Sequence, residues 1–330
     1  MICIMKRYIL IILLFSAVHL GAQTRTVTDF SLISLQTYQY RTSPVTIQNL
    51  AFKNDLQYAY NVSYTSMGLT VSARLNIPAI NPQNIKGIIV MLRGHQSPVN
   101  YYTGKGTENP SVGYLEQGWA VIAPDFLGYA SSSPTPSPTY LHQFYSTINA
   151  VEIYKSMEQP VFQYNASVAQ ADRITLPSSF KKIVIWGHSN GGQVSLHFLE
   201  VIQKPVTAVL WAPVGLSFPE SAEHYGRGSA TWVVQFRKDY TSSNFSLINN
   251  LDKIAPGSRI LLHQGVNDRS VPKAWNDALS KAIEAENLRR DSERIGRIVF
   301  RYEIYAEADH NLRPLWSTVQ SRDIAFWEAN

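Results

Sequence analysis

From residue 58 onward, short apolar runs alternate with longer helix-compatible stretches. Residues 58–65 and 69–75 flank Ser66-Met67-Gly68, a pattern that predicts a hairpin. Short runs rich in apolar and β-branched residues follow at 87–92, 120–123, 183–186, 206–211, 260–263 and 298–305, the first of them continuous. They lack clean alternation, as expected of parallel strands covered on both faces. Stretches at 140–159, 191–202, 273–290 and 314–327 read as helices between them. This succession predicts an α/β fold with a mostly parallel central sheet and helices on both faces. Residues 24–56 are polar and read as an irregular extension with at most a short helix. Residues 131–138 hold too many prolines for an element interior and read as a surface loop. The longer connection 213–256 has two readings: a cover over the carboxyl ends of the strands, where substrates bind, or a plain connector with one or two helices.

Composition narrows the class. The chain has 330 residues, 45% hydrophobic and 16% charged, which fits a globular protein with a sizeable core. The net charge of +5 includes Lys6 and Arg7, and no dense basic block or nucleic-acid motif occurs, so no nucleic-acid partner is expected. Lys6-Arg7, the apolar run 8–20 and Gly21-Ala22 match a secretory signal peptide, residues 1–22. The run is shorter than the roughly 20 residues a spanning helix needs. The expected location is therefore secreted or periplasmic, without stable membrane insertion after cleavage; a retained N-terminal anchor is the alternative. The only cysteine, Cys3, lies in this leader, which excludes a disulfide scaffold or thiol nucleophile in the mature chain. The expected organisation is 1–22 signal peptide, 23–57 extension and 58–330 catalytic domain, with an insertion at 213–256.

The candidate chemistry centres on Gly187-His188-Ser189-Asn190-Gly191-Gly192. An apolar strand enters this stretch and a helix leaves it, the setting a nucleophile elbow needs to raise its hydroxyl above a sheet. An inert serine in a glycine-rich turn is the bland reading. A serine hydroxyl needs a base. His310, in Ala308-Asp309-His310-Asn311-Leu312, follows the last strand. His188 is expected to point away from its neighbour Ser189, and His263 sits at a strand end. Asp268 follows a buried strand, and Ser189, Asp268 and His310 then appear in the order of a serine–acid–histidine triad. Asp309 is the rival acid, but a neighbour of the histidine has poor reach; Asp125 precedes the serine and reads as an organiser of its own turn. The histidines are dispersed, with no His-x-x-x-His on a helix, so no metal and no cofactor are expected.

Together these residues resemble the α/β-hydrolase superfamily, in particular the catalytic domains of prolyl-oligopeptidase-type serine peptidases and related carboxylesterases. The likeness spans roughly 58–327. It rests on the two leading strands, Arg93-Gly94-His95, Pro124-Asp125-Phe126-Leu127-Gly128-Tyr129, the elbow, the Gly265…Asp268…Val271-Pro272 segment and Asp309-His310. It implies an α/β-hydrolase fold, an acyl-enzyme on Ser189, and an oxyanion hole from the backbone N–H groups of Asn190 and a residue near His95. Many relatives carry His-Gly where this chain has Arg93-Gly94; Arg93 is open to a carboxylate of substrate or protein. Tyr101, Tyr102, Tyr225, Trp232 and Phe236 are the expected substrate contacts. The expected activity is a carboxylesterase on a small-molecule ester, with a peptidase on short peptides as the alternative and a non-catalytic binding protein as the remote one.

Overall fold

The computed structural model describes residues 27–82, 84–226, 231–240 and 246–329. The leader expected at 1–22 lies outside them. Among the described residues, no helix is long and apolar enough to cross a membrane.

The hairpin forms as patterned: β2 (Gln57–Ser66) and β3 (Leu69–Pro78) pair antiparallel through the turn Met67-Gly68, both with positive φ. Two positive φ values in a two-residue turn match the right-handed twist of the flanking strands. The apolar runs become β4 (Gly87–Leu92), β5 (Trp119–Pro124), β7 (Ile183–His188), β8 (Thr207–Trp211), β9 (Arg259–Gly265) and β10 (Val299–Tyr305). These six lie side by side in parallel, in the order β5-β4-β7-β8-β9-β10. β3 joins β5 antiparallel.

One expectation fails here. The segment taken as an irregular extension contributes a strand, β1 (Val45–Lys53), which pairs with β2 and with the short β6 (Phe162–Tyr164). Only its Val45 and Ile47 are buried apolar side chains, and two register shifts interrupt the pairing, so the period-2 signal is weak.

Each central strand feeds two cores. In β4, Ile88, Val90 and Leu92 face one and Ile89 and Met91 the other. The first core packs under α3 (His142–Glu158), α4 (Asn190–Val201) and α7 (Lys273–Glu293), with α1 (Leu32–Thr37) against α4. The second packs under α2 (Glu108–Glu116) and α8 (Trp316–Glu328). Apolar runs without clean alternation follow directly from strands covered on both sides. The connection 213–256 carries α5 (Phe218–Tyr225) and α6 (Thr231–Asp239).

Burial also sets two charges to zero. His197 and Glu200, on α4, are buried 3.6 Å apart, and neither side chain has a hydrogen-bond partner among the described residues. Desolvation pulls His197 down to about 3 and pushes Glu200 well above the usual carboxylate range. A neutral Glu200 holds a proton that the unfolded chain releases above its ordinary value. Stability is therefore lost as pH rises from there, at about 1.4 kcal/mol per pH unit for one proton. Glu200→Gln removes this dependence, so its stability relative to wild type should be greater at pH 8 than at pH 5. Urea unfolding at both pH values measures it; the opposite trend would show an ionised Glu200.

Candidate active site

The strand β7 ends at His188 and the helix α4 begins at Asn190, leaving Ser189 alone in the turn. Its backbone sits at φ 55, ψ −119, a conformation that costs an L-residue energy and persists only where surroundings enforce it. The enforcement is visible. The Ser189 N–H donates to the Trp211 carbonyl at 3.0 Å, and the Ser189 carbonyl accepts from the N–H groups of Gly192 and Val214, each at 3.0 Å. A Cβ on Gly191 would overlap the carbonyl oxygen of Leu92, and one on Gly187 would overlap the hydroxyl of Ser195. The two glycines let α4 lie against the ends of β4 and β7, which lifts Ser189 over the carboxyl edge of the sheet.

Two loops bring the partners. His310 follows β10, and its Nδ1–H donates to Asp268 Oδ2 at 2.8 Å. Asp268 follows β9; its Oδ1 accepts the N–H groups of Ser270 and Val271, both at 2.8 Å. Burial alone raises this carboxyl, but the hydrogen bonds from His310, Val271 and Ser270 outweigh it and leave the pKa below its ordinary value. Asp268 is thus held as a carboxylate against one ring nitrogen, which leaves Nε2 of a neutral His310 free to accept a proton. Asp309 is engaged elsewhere, with the Arg313 guanidinium and the N–H groups of Asn311 and Arg313.

Ser189, His310, Asn190 and His95 line one cavity of about 720 Å³. No hydrogen bond joins the Ser189 hydroxyl to His310 among the described residues; such contacts commonly tighten only when substrate binds. The N–H groups of Asn190 and His95 have no protein acceptor among those residues, so both are available to an oxyanion. One part of the remaining wall is aromatic, from Phe144 on α3, Phe218 on α5 and Phe236 on α6, with Phe144 and Phe218 ring centroids 4.7 Å apart; Gln143, Gln193 and Ser221 are polar neighbours in the same wall. The connection 213–256 thus carries the helices α5 and α6, whose Phe218 and Phe236 line the cavity.

A family model described as the alpha/beta hydrolase fold matches residues 110–212. Among solved structures, acetyl xylan esterase 1 from Thermoanaerobacterium sp. JW/SL YS485 aligns with a TM-score of 0.59 at 13% identity, over 91% of this chain and 94% of its own. Est1E from Butyrivibrio proteoclasticus, with ferulic acid bound, aligns at 0.53 and 15% identity, over 80% and 96%. Dipeptidyl peptidase 4 from Porphyromonas gingivalis aligns at 0.54 and 16% identity, over 90% of this chain and 37% of its own. The chain has the α/β-hydrolase fold. No sequence among the curated proteins matches it.

Within this α/β-hydrolase fold the remaining site residues divide. Tyr225 and Phe236 line the cavity at Ser189, and the Tyr225 hydroxyl donates to the Ser270 carbonyl at 3.0 Å. The Trp232 side chain lies outside the described residues. Arg93 and Tyr101 are corrections. The buried Arg93 guanidinium donates to the Asp125 carbonyl at 2.7 Å and to the Tyr101 hydroxyl at 3.0 Å, and stacks 3.9 Å from the Tyr129 ring centre. Tyr101 in turn donates to Asp125 Oδ1 at 2.8 Å. Arg93 thus braces the turn after β5; it is buried, does not line the Ser189 cavity, and makes no ion pair with a carboxylate among the described residues. The Asp125 carboxylate was expected to organise its own turn; instead it accepts also from Ser72 on β3 and from the Gly104 N–H, tying the end of β5 to those segments. Tyr102 leaves the Ser189 cavity altogether and lines a neighbouring one.

His188 was underestimated. Its Nε2–H donates to the His310 backbone carbonyl at 3.0 Å, and the two rings lie 4.7 Å apart. Desolvation, reinforced by His310, lowers its pKa to about 4, so it stays neutral and pins the loop that carries His310. The elbow motif names His188 only as a variable position, so no sequence signal marked it. His263 is buried in a separate network, with Nε2 bonded to Asp323 and Nδ1 to Tyr305.

Proposed function

We propose that this chain is an exported serine hydrolase working through an acyl-enzyme on Ser189, with carboxylesterase activity. The observation that carries the reading is the hydrogen bond to Asp268 from His310, which lines one cavity with the strained Ser189. Ser189 Oγ attacks the acyl carbonyl as His310 Nε2 takes its proton, and Asp268 steadies the imidazolium. The N–H groups of Asn190 and His95 receive the oxyanion; one such donor is worth about 3–4 kcal/mol in the transition state. His310 then protonates the leaving oxygen, and water releases the acid by the same steps in reverse.

The choice of ester over peptide rests on the cavity wall. None of its described lining residues is acidic, so nothing among them would hold the ammonium group of a peptide N-terminus. A neutral acyl group among Phe144, Phe218 and Phe236 suits the wall better. The peptidase alternative draws on the likeness to dipeptidyl peptidase 4, which is a likeness of fold. Export is inferred from the leader at 1–22.

A fluorophosphonate probe should label Ser189 in the medium or periplasmic fraction of expressing cells. No labelling at Ser189 would sink the serine-hydrolase reading, and label confined to the cytoplasm would sink export. Short-chain acyl esters should show a higher kcat/KM than proline-containing peptide amides; the reverse order would make the enzyme a peptidase.

A further inference from the structure

A second cavity, of about 360 Å³, adjoins the one at Ser189 and shares Gln96, His188 and Asn311 with it as a common wall. We infer that this second cavity is the subsite for the alcohol half of the ester, and that it takes a neutral sugar ring. The inference rests on the esterase reading above.

Position gives the first argument. The leaving oxygen takes its proton from His310, so the alcohol must depart on the side of the His310 ring. The second cavity lies on that side: His188, its ring centre 4.7 Å from that of His310, and Asn311, next in sequence, form its near wall. In the acylation step the Ser189 Oγ–C bond forms and the bond from the acyl carbon to the sugar oxygen breaks. That oxygen receives the proton His310 took from Ser189 and leaves as a hydroxyl. The acyl group stays behind in the Ser189 cavity.

The lining gives the second. Four aromatic side chains line it: the half-exposed Tyr102, the partly buried Trp316, and the buried Trp186 and Trp211. The C–H face of a pyranose packs on such rings, while its hydroxyls need both donors and acceptors around the edge. Three side-chain amides, of Gln96, Asn109 and Asn311, line the cavity without a hydrogen bond to any described residue. Each offers both donor and acceptor. The charged groups are already engaged: Glu108 with the Tyr102 hydroxyl, Lys105 with the Asn100 carbonyl and Arg313 with Asp309. The three free amides are neutral, and their paired donors and acceptors suit the hydroxyls of a polyol. The volume lies at the lower end of small-ligand sites, the size of one ring rather than a chain of them.

Two butyrate esters separate the possibilities: 6-O-butyryl methyl glucopyranoside and hexyl butyrate, which share an acyl group. Wild type should favour the sugar ester in kcat/KM by tenfold or more. Tyr102→Ala and, separately, Asn109→Leu should lower that ratio about tenfold, chiefly through KM for the sugar ester. The Ser189→Ala protein titrated with methyl glucopyranoside should show saturable quenching of tryptophan fluorescence, weakened by adding Tyr102→Ala. Equal kcat/KM for the two esters in wild type, or an unchanged ratio in both variants, would overturn the subsite. If wild type cleaves neither ester yet methyl glucopyranoside still binds through Tyr102, the esterase reading fails and the sugar site stands. If neither turnover nor binding is seen, the subsite falls with it.

Discussion

Ser189→Ala is expected to lower kcat for ester hydrolysis by about four to six orders of magnitude, the range seen when a triad nucleophile is removed. The residual rate comes from what alanine leaves in place, namely the two oxyanion N–H groups and the cavity wall. The turn itself should survive. Its φ of 55 is enforced by hydrogen bonds from the Ser189 backbone to Trp211, Gly192 and Val214, none of which uses the hydroxyl. Thermal unfolding should therefore be almost unchanged, which separates loss of the nucleophile from loss of the fold. A kcat within tenfold of wild type would remove Ser189 from the chemistry.

The second large effect is at Asp268. Its Oδ1 is fixed by the N–H groups of Ser270 and Val271, so an asparagine there must keep its carbonyl oxygen on those donors. The amide NH₂ then faces His310 Nδ1, and Nδ1 can meet it only as an acceptor. The histidine is forced into the tautomer with a proton on Nε2, where it cannot act as a base. Asp268→Asn should lower kcat by about 10⁴-fold, as in other triads. Asp309→Asn should change kcat by less than tenfold, because the Asp309 carboxylate serves Arg313 and the loop backbone. A larger loss at Asp309 than at Asp268, measured by steady-state kinetics on one ester, would exchange their roles.

How much of this was legible in the sequence follows from how local each signal is. The central strands are buried on both faces, so their runs are rich in apolar residues and their limits are found within a residue or two. The hairpin is marked by a single turn, and the order of Ser189, Asp268 and His310 survives any error in loop conformation. The strand β1 was missed because its polar outer half carries no alternation. The helix α2 was missed because Pro110 and Gly113 lie inside it and only Ser111, Tyr114 and Leu115 are buried. Arg93 was misjudged for a different reason. Its role depends on Asp125, Tyr101 and Tyr129 converging from separate segments, and nothing in the Arg93-Gly94-His95 string records that meeting. The approach of His188, at the end of β7, to His310 is likewise a meeting of segments far apart in the chain.

The crowding around Gly187 and Gly191 has a consequence for the history of such a protein. Overlap with Leu92 and Ser195 would penalise a larger residue at either position whether or not the enzyme still turned over substrate. A descendant lineage that abandoned catalysis would be free to lose Asp268 and His310, which sit in surface loops, long before it could lose the glycines. Its elbow would outlive its activity as a packing fossil. On the proposed mechanism, retention of Asp268 and His310, rather than of the glycines flanking Ser189, is what marks a working enzyme.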